Sequence, residues 1–409
     1  MDYPDTLDWL FTRFPAYQSQ GKSAFKKGLT HIRLLLNHLK NPQKTFYSIH
    51  VAGTNGKGSV SHILAAALQA QGYRVGLYTS PHLLDFTERI RLNGQVINRD
   101  EVVEFTLKNK AFLESHSFSF FEVTTAMAFY FFSKEQMSYA VVETGLGGRL
   151  DSTNAIYPIL SVITNVSLDH TDILGDTLSK IAAEKAGIIK PHTPVVIGEE
   201  QGETSGVFEK RAAAVQAPLY HAENFNPTGF KTDLKGAYQR KNIRTAHAAL
   251  QVLKTYGVPV SDGAVKDGLG NVVKNTGLRG RWEKLGDNPL RIADIAHNEA
   301  GLREVVSELS RVKRNRLHAV LGFVKGRDIE CLIRLFPGDA LYYFSKPQIF
   351  RGLSTASIKP VVGRLGLRAR YFDSVSIALR AAARMADPAD VIYIGGSTFV
   401  VAEILDKLR

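Results

Sequence analysis

A chain of 409 residues, 44% hydrophobic and 22% charged, has the balance of a globular protein with room for two cores. Lysine and arginine outnumber aspartate and glutamate by 51 to 39, a formal charge of +12. The excess is scattered rather than clustered with aromatics, which argues against a nucleic-acid partner and for a solvated basic surface that attracts polyanionic small molecules. The single cysteine, Cys331, excludes an internal disulfide and a thiolate metal site, and suits a reducing cytoplasm. Met1-Asp2-Tyr3-Pro4-Asp5 lacks the pattern of a signal peptide, and no apolar run reaches the ~18 residues of a membrane span, so no membrane role is expected.

Residues 1–45 read as largely helical, with Leu29, Ile32, Leu36 and Leu39 at helical spacing. A strand over Phe46–Val51 leads through a glycine-rich turn into a helix over Ser59–Gln71. Further strands are expected at Val75–Tyr78, Tyr139–Val142 and Ile159–Thr164, and a helix at Ile181–Lys190. Gly202–Asp233 reads as loop-rich, before a helix near Ala237–Tyr256. Asn275–Asn288, with three glycines, marks a domain boundary. Beyond it, strands at Arg291–Ile295, Ala319–Gly322, Ala340–Phe344 and Val391–Ile394 alternate with helical patterns. The expected architecture is α/β, a doubly wound phosphate-loop domain over 1–279 followed by a smaller Rossmann-like domain over 280–409.

Gly53-Thr54-Asn55-Gly56-Lys57-Gly58-Ser59 sits where a strand turns into a helix. Glycines admit close approach of backbone N–H groups to phosphates, the helix start favours anions, and Lys57 adds a positive charge. Ser59 can offer its hydroxyl to a magnesium ion. One glycine separates the lysine from the serine, a departure from the general phosphate-loop spacing.

Glu143 ends a strand, at the sheet edge where open α/β folds bind ligands, and reads either as a magnesium ligand or as an ion-paired glutamate. His170, beside Asp169, Thr171 and Asp172, lies beyond the next strand, and is either structural or a metal contact. Lys185, among small and apolar helical residues, is either a snorkelling surface lysine or an amine that loses its charge and captures carbon dioxide as a carbamate.

Together with Thr79-Ser80-Pro81-His82-Leu83, Glu88-Arg89-Ile90-Arg91, Asn93-Gly94, the run Glu143–Asn154, Glu184-Lys185-Ala186-Gly187 and Asp294-Ile295-Ala296-His297-Asn298, these segments resemble the Mur ligase superfamily. Within it they are similar to the folylpolyglutamate synthase and dihydrofolate synthase family. The resemblance implies an ATP-dependent amide ligase joining L-glutamate to a folate or to dihydropteroate through an acyl phosphate. It implies that Gly53–Ser59 binds ATP phosphates, with Lys57 catalytic. Ser59 and Glu143 would hold one magnesium ion, and His170 with a carbamylated Lys185 a second. Asn242, Arg281 and Asp294 would contact nucleotide, and His297 and Ser397 would face the acyl phosphate and incoming glutamate. Phe121, Glu122, Val123, Thr124, Leu150, Asp151 and Ser152 would line the pteridine pocket.

The resemblance also implies that the second domain closes on the first to exclude water from the acyl phosphate. One chain supplying both halves of the site implies a monomer. Three departures bear on substrate contacts: Lys27-Gly28-Leu29-Thr30-His31 lacks the usual acidic residue and arginine, Glu299 replaces a usual proline, and Gly326-Arg327-Asp328 replaces Asp-Lys-Asp. The alternatives are a Mur-type ligase with another carboxylate acceptor and a non-catalytic nucleotide-binding paralogue. About 50 residues before the loop are too few for the extra substrate domain that cell-wall ligases carry.

Overall fold

The computed structural model describes residues 1–15 and 28–408, which fall into two compact units. The first comprises Met1–Asp233 and Gln239–Leu278, and the second Leu234–Tyr238 and Arg279–Arg409. Lys27 and the other residues of 16–27, part of the expected helical region, lie outside the described residues; before and after them run helices Tyr3–Arg13 and Thr30–His38.

Among the described residues the first unit is built on eight strands: β1 (Tyr47–Ala52), β2 (Val75–Tyr78), β3 (Ile90–Leu92), β4 (Gln95–Val96), β5 (Tyr139–Glu143), β6 (Leu160–Ile163), β7 (Val195–Ile197) and β8 (Leu219–His221). Their order is β4-β3-β2-β5-β1-β6-β7-β8, with only the β2–β3–β4 edge antiparallel. β2, β6 and β7 are buried at every position, which is why they read as continuous apolar runs rather than alternating ones. Helix Lys57–Ala70 follows β1 and is buried nearly all round from Gly58 to Leu68. It lies against the sheet and helices Gln239–Thr255, Asp262–Gly270 and Val272–Thr276. Helix Phe120–Lys134 fills the core on the other side with Val123, Met127, Phe129, Phe131 and Phe132.

The second unit has six strands: β9 (Glu283–Asp287), β10 (Leu290–Ala293), β11 (Leu317–Leu321), β12 (Leu341–Ser345), β13 (Ala369–Phe372) and β14 (Val391–Gly395). The order is β13-β12-β11-β14-β10-β9, parallel except for β9. Both units therefore present the carboxyl ends of several parallel strands along one edge, the place where such sheets hold ligands.

Two local expectations fail. Gly202–Asp233 is not loop-rich throughout, because Gly202–Ala214 is a helix and Leu219–His221 a strand. Thr204, Phe208 and Ala212, at i, i+4 and i+8, supply its buried stripe despite Gly202 and Gly206. The expected helix over Ile181–Lys190 begins earlier, at Leu178, and stops at Ala186, where Gly187 caps it. No helix among the described residues is long and apolar enough to cross a membrane.

Candidate functional site

The turn after β1 is held in shape from β6. Thr54 N–H donates to the Asn165 carbonyl at 2.9 Å and Asn55 N–H to Asn165 Oδ1 at 3.0 Å. Thr164 Oγ1 donates to the Asn55 carbonyl at 2.6 Å, and a Cβ on Gly53 would sit 1.8 Å from that hydroxyl. Gly56 has φ of 84°, and its Cβ would fall 2.2 Å from Asn242 Oδ1. Only glycine fits either place. Helix Lys57–Ala70 then starts on Gly56 with no side-chain cap, so the first-turn N–H groups of Lys57, Gly58 and Ser59 face outward with the positive end of the helix dipole. This is a cradle for an anion.

Two lysines close on it. Lys57 Nζ donates to the carbonyls of Gly53 at 3.2 Å and Thr54 at 3.1 Å. Lys185 Nζ donates to the same Gly53 carbonyl at 2.8 Å. Lys185 is 2% exposed, so it is not a snorkelling lysine, and its tip meets polar groups rather than small apolar ones. Burial, reinforced by the charge of Lys57 and opposed by Asp169 and Asp151, lowers its pKa from 10.5 to about 7.

Carboxylate and hydroxyl oxygens flank the loop. Glu143 is buried at the end of β5, in register with Val51 of β1, and its Oε2 accepts the Ser80 N–H at 3.3 Å. Ser59 is 1% exposed, and its Oγ accepts Gln239 Nε2 at 3.2 Å. His170 starts a short helix with φ of 50°, its Nε2 3.7 Å from Asp169 Oδ1. No group of three or more acidic, histidine or cysteine side chains gathers among the described residues. Magnesium takes hard oxygen ligands and keeps several waters and substrate phosphates in its shell, and the Ser59 hydroxyl and Glu143 carboxylate are donors of that kind.

The residues assigned to the pteridine pocket follow two elements. Phe121 is part-buried, its ring 5.9 Å from that of Tyr78 and pressed on Gly145. Glu122 closes a capping box, accepting Ser119 N–H at 2.7 Å and Oγ at 2.9 Å, and its other oxygen lies 4.0 Å from His31 Nδ1. Val123 is wholly buried, and Thr124 shares a 3.0 Å hydroxyl contact with Tyr78. Leu150 is part-buried and Ser152 buried beside Asp151. Asp151 accepts the N–H groups of Leu146 at 2.8 Å and Thr153 at 3.0 Å; burial nevertheless raises its pKa. Glu88 gathers the N–H groups of Leu83, Leu84 and Asp85, which explains that motif locally.

In the second unit, Asp294 follows β10 and is 3% exposed. It accepts Tyr238 Oη at 2.6 Å and the N–H groups of Trp282 and Ala296, both at 2.8 Å. Burial raises its pKa against those bonds and the nearby charge of Arg281. Arg281 Nη1 also donates to the Arg279 carbonyl at 3.3 Å. His297 Nδ1 lies 3.0 Å from the Ile295 carbonyl. Ser397 Oγ caps the last helix, accepting Phe399 and Val400 N–H groups at 3.1 and 3.4 Å. Glu299 is the first residue of helix Glu299–Arg311, after the cap Asn298, and pairs with Arg303.

Sequence reading missed Gln239, Thr164 and Asn165. Gln239 is 1% exposed and links Ser59 to Asn242, whose Nδ2 donates to its Oε1 at 2.8 Å. Its place three residues before Asn242, on the same face of one helix turn, was the available signal.

Compared with known proteins, residues 51–252 match the Mur ligase middle domain and residues 280–398 the Mur ligase, glutamate ligase domain. A probable bifunctional folylpolyglutamate synthase/dihydropteroate synthase of Haloferax volcanii is 32% identical over 98% of this chain, which spans 50% of that protein. The Bacillus subtilis dihydrofolate synthase/folylpolyglutamate synthase is 34% identical over 81% of this chain and 82% of its own. Escherichia coli FolC in complex with DHPP and ADP has a TM-score of 0.88 and 28% identity, covering 100% of this chain and 98% of that one. A bifunctional folylpolyglutamate synthase/dihydrofolate synthase with Mn, AMPPNP and L-glutamate bound gives 0.87 and 30%, with 100% and 98% coverage.

Proposed function

Because this chain belongs to the folylpolyglutamate synthase and dihydrofolate synthase family of Mur ligases, we propose that it uses ATP and a divalent metal to join L-glutamate to a folate or to dihydropteroate. The observation that carries this reading is the convergence of Lys57 and Lys185 on the Gly53 carbonyl, beside a loop shaped for phosphate.

A carboxylate is a poor electrophile, so the acceptor carboxylate first takes the γ-phosphoryl group of ATP and releases ADP. The glutamate amine attacks the acyl carbon, and phosphate leaves from a tetrahedral intermediate with the amide behind. The N–H groups of Lys57, Gly58 and Ser59 would orient the phosphates, and Lys57 would neutralise charge as the phosphoryl group moves. Ser59 and Glu143 would hold one magnesium ion, and His170 with Lys185 a second. Bound there, the metal supplies charge neutralisation between ATP and the acceptor carboxylate. Gln239 would fix the Ser59 hydroxyl by donating to one of its lone pairs, leaving the other for that ion.

For Lys185 to be a ligand it must lose its positive charge. Its neutral amine would attack the carbon of carbon dioxide and lose a proton, giving a carbamate with two oxygens. An active preparation whose Lys185 carries no added mass would refute the modification. In the second unit we assign Arg281 and Asp294, with Asn242 of the first, to nucleotide, and His297 and Ser397 to glutamate and the acyl phosphate. Phe121–Thr124 and Leu150–Ser152 are assigned to the pterin. The domain limits 1–279 and 280–409, a monomeric state, a cytoplasmic setting and the absence of nucleic-acid or membrane partners complete the reading. The test is ATP-derived phosphate release with glutamate and dihydropteroate, tetrahydrofolate or no acceptor: release requiring glutamate and at least one of the two pterins is expected, and the lack of release with either pterin refutes it.

A further inference from the structure

The carboxyl ends of β11 and β12 carry two loops, 322–328 and 346–353, that are zipped together. Lys325 N–H donates to the Arg351 carbonyl at 2.9 Å, Leu353 N–H donates to the Phe323 carbonyl at 2.9 Å, and Val324 bridges Gly352. The loops bring Lys325, Arg327, Lys346 and Arg351 together; Asp328 caps the next helix by accepting Cys331 N–H and Glu403 accepts the Gln348 N–H, so these four cations outnumber the two acids. Lys346 packs its stem over Gly352, where a Cβ would come within 3.3 Å. Phe350 stands 82% exposed in the middle, with Lys325 Nζ 5.6 Å from its ring centre. The ring and the lysine together offer an apolar face edged with positive charge, suited to a ligand that carries both methylenes and carboxylates. The patch shares its sheet edge with Asp294–Asn298 and Gly395–Ser397, since β12, β11, β14 and β10 are neighbours.

Each ligation consumes one acceptor carboxylate and brings in an amino acid bearing two, so the product gains one negative charge. An acceptor used repeatedly grows a flexible polycarboxylate chain beside the place where the next amide forms. We propose that Lys325, Lys346 and Arg351, ranged about Phe350, form a binding platform for that oligoglutamate tail; this rests on the ligase reading above. The cations take the carboxylates, and the ring covers the methylene stretches between them. Because the contacts are exposed, each is weak and screened by salt.

The test uses the full chain, as wild type and as the variants Lys325→Ala/Lys346→Ala and Phe350→Ala, whose exposed positions leave the fold intact. Calorimetric titration with free triglutamate peptide at low salt should give binding that weakens about fivefold in each variant and fades in 0.5 M salt, on the order expected for lost exposed ion pairs. In turnover, KM should rise by a similar factor for a triglutamyl acceptor and stay unchanged for a monoglutamyl one. No peptide binding by wild type, or equal binding and equal KM values in the variants, would overturn the platform. Peptide binding that depends on these residues without any wild-type turnover would overturn the ligase reading and leave the platform standing.

Discussion

The amines of Lys57 and Lys185 donate to one oxygen, the Gly53 carbonyl, at 3.2 and 2.8 Å. Two ammonium groups sharing an acceptor repel, and the more buried of them is the one whose charge is disfavoured. Lys185 therefore stands poised to become neutral at the edge of the phosphate loop, the condition that the proposed carbamate requires. Lys185→Ala is expected to lose turnover by a factor of about 10²–10³, the scale of a lost electrostatic contact in the transition state. Its ATP affinity should stay within about threefold, and acetate should restore part of the activity by replacing the lost carboxylate. Loss of ATP affinity in parallel with turnover, measured by nucleotide titration, would make Lys185 a structural lysine.

The same shift sets a pH dependence of stability. Folded Lys185 titrates near 7 and the unfolded chain near 10.5. Between those values the unfolded state binds the extra proton, so the wild type gains stability as pH rises through that window. Below it both states are protonated, and the burial penalty is constant. Lys185→Met should thus melt above the wild type at pH 6 in carbon-dioxide-free buffer, with the advantage gone near pH 10. A melting difference independent of pH would contradict the assignment.

Gly56 and Asn242 are coupled by space. Gly56→Ala puts a methyl 2.2 Å from Asn242 Oδ1 at a φ that alanine resists, and should cost about 1–3 kcal/mol and most of the ATP affinity. Adding Asn242→Ala removes the clash but not the backbone strain. Denaturant unfolding of the double variant should show a loss smaller than the sum of the singles.

Gln239→Leu removes the donor to Ser59 Oγ and the acceptor of Asn242 Nδ2. A stability loss of about 1–3 kcal/mol follows from the stranded buried amide. The metal requirement should rise as well, seen as a several-fold higher magnesium concentration for half-maximal phosphate release.

Glu299 stands where the family resemblance implies a proline, and the fold makes the exchange benign. It is the first residue of its helix, the site proline prefers, and Asn298 before it has the extended φ of −122° and ψ of 167° that a following proline demands. Glu299→Pro should change stability by less than about 1 kcal/mol, since an exposed pair with Arg303 and a weak bond from the Cys331 thiol are lost, and leave kcat within twofold. A larger drop in kcat would assign the carboxylate to the reaction.

These residues mark the line between what the chain's letters disclose and what they withhold. The buried strands β1, β2, β5 and β6 and the turn into helix Lys57–Ala70 were legible, because parallel strands are apolar throughout and the glycines sit where a strand meets a helix. The Asn93-Gly94 pair joins β3 to β4 and carried a hairpin signal that went unused. The segment around Lys185 left it open between a snorkelling lysine and a neutral amine, because its acceptor lies 132 residues away. Thr164 and Asn165 stayed hidden for the same reason: their partners are in the loop, more than a hundred residues upstream.

The most direct test of the account is phosphate release by the purified chain with ATP, magnesium and L-glutamate, with dihydropteroate, tetrahydrofolate or no acceptor. Release that needs glutamate together with at least one of the two pterins is the predicted result. Firm ATP binding without release under any of the three conditions would contradict it.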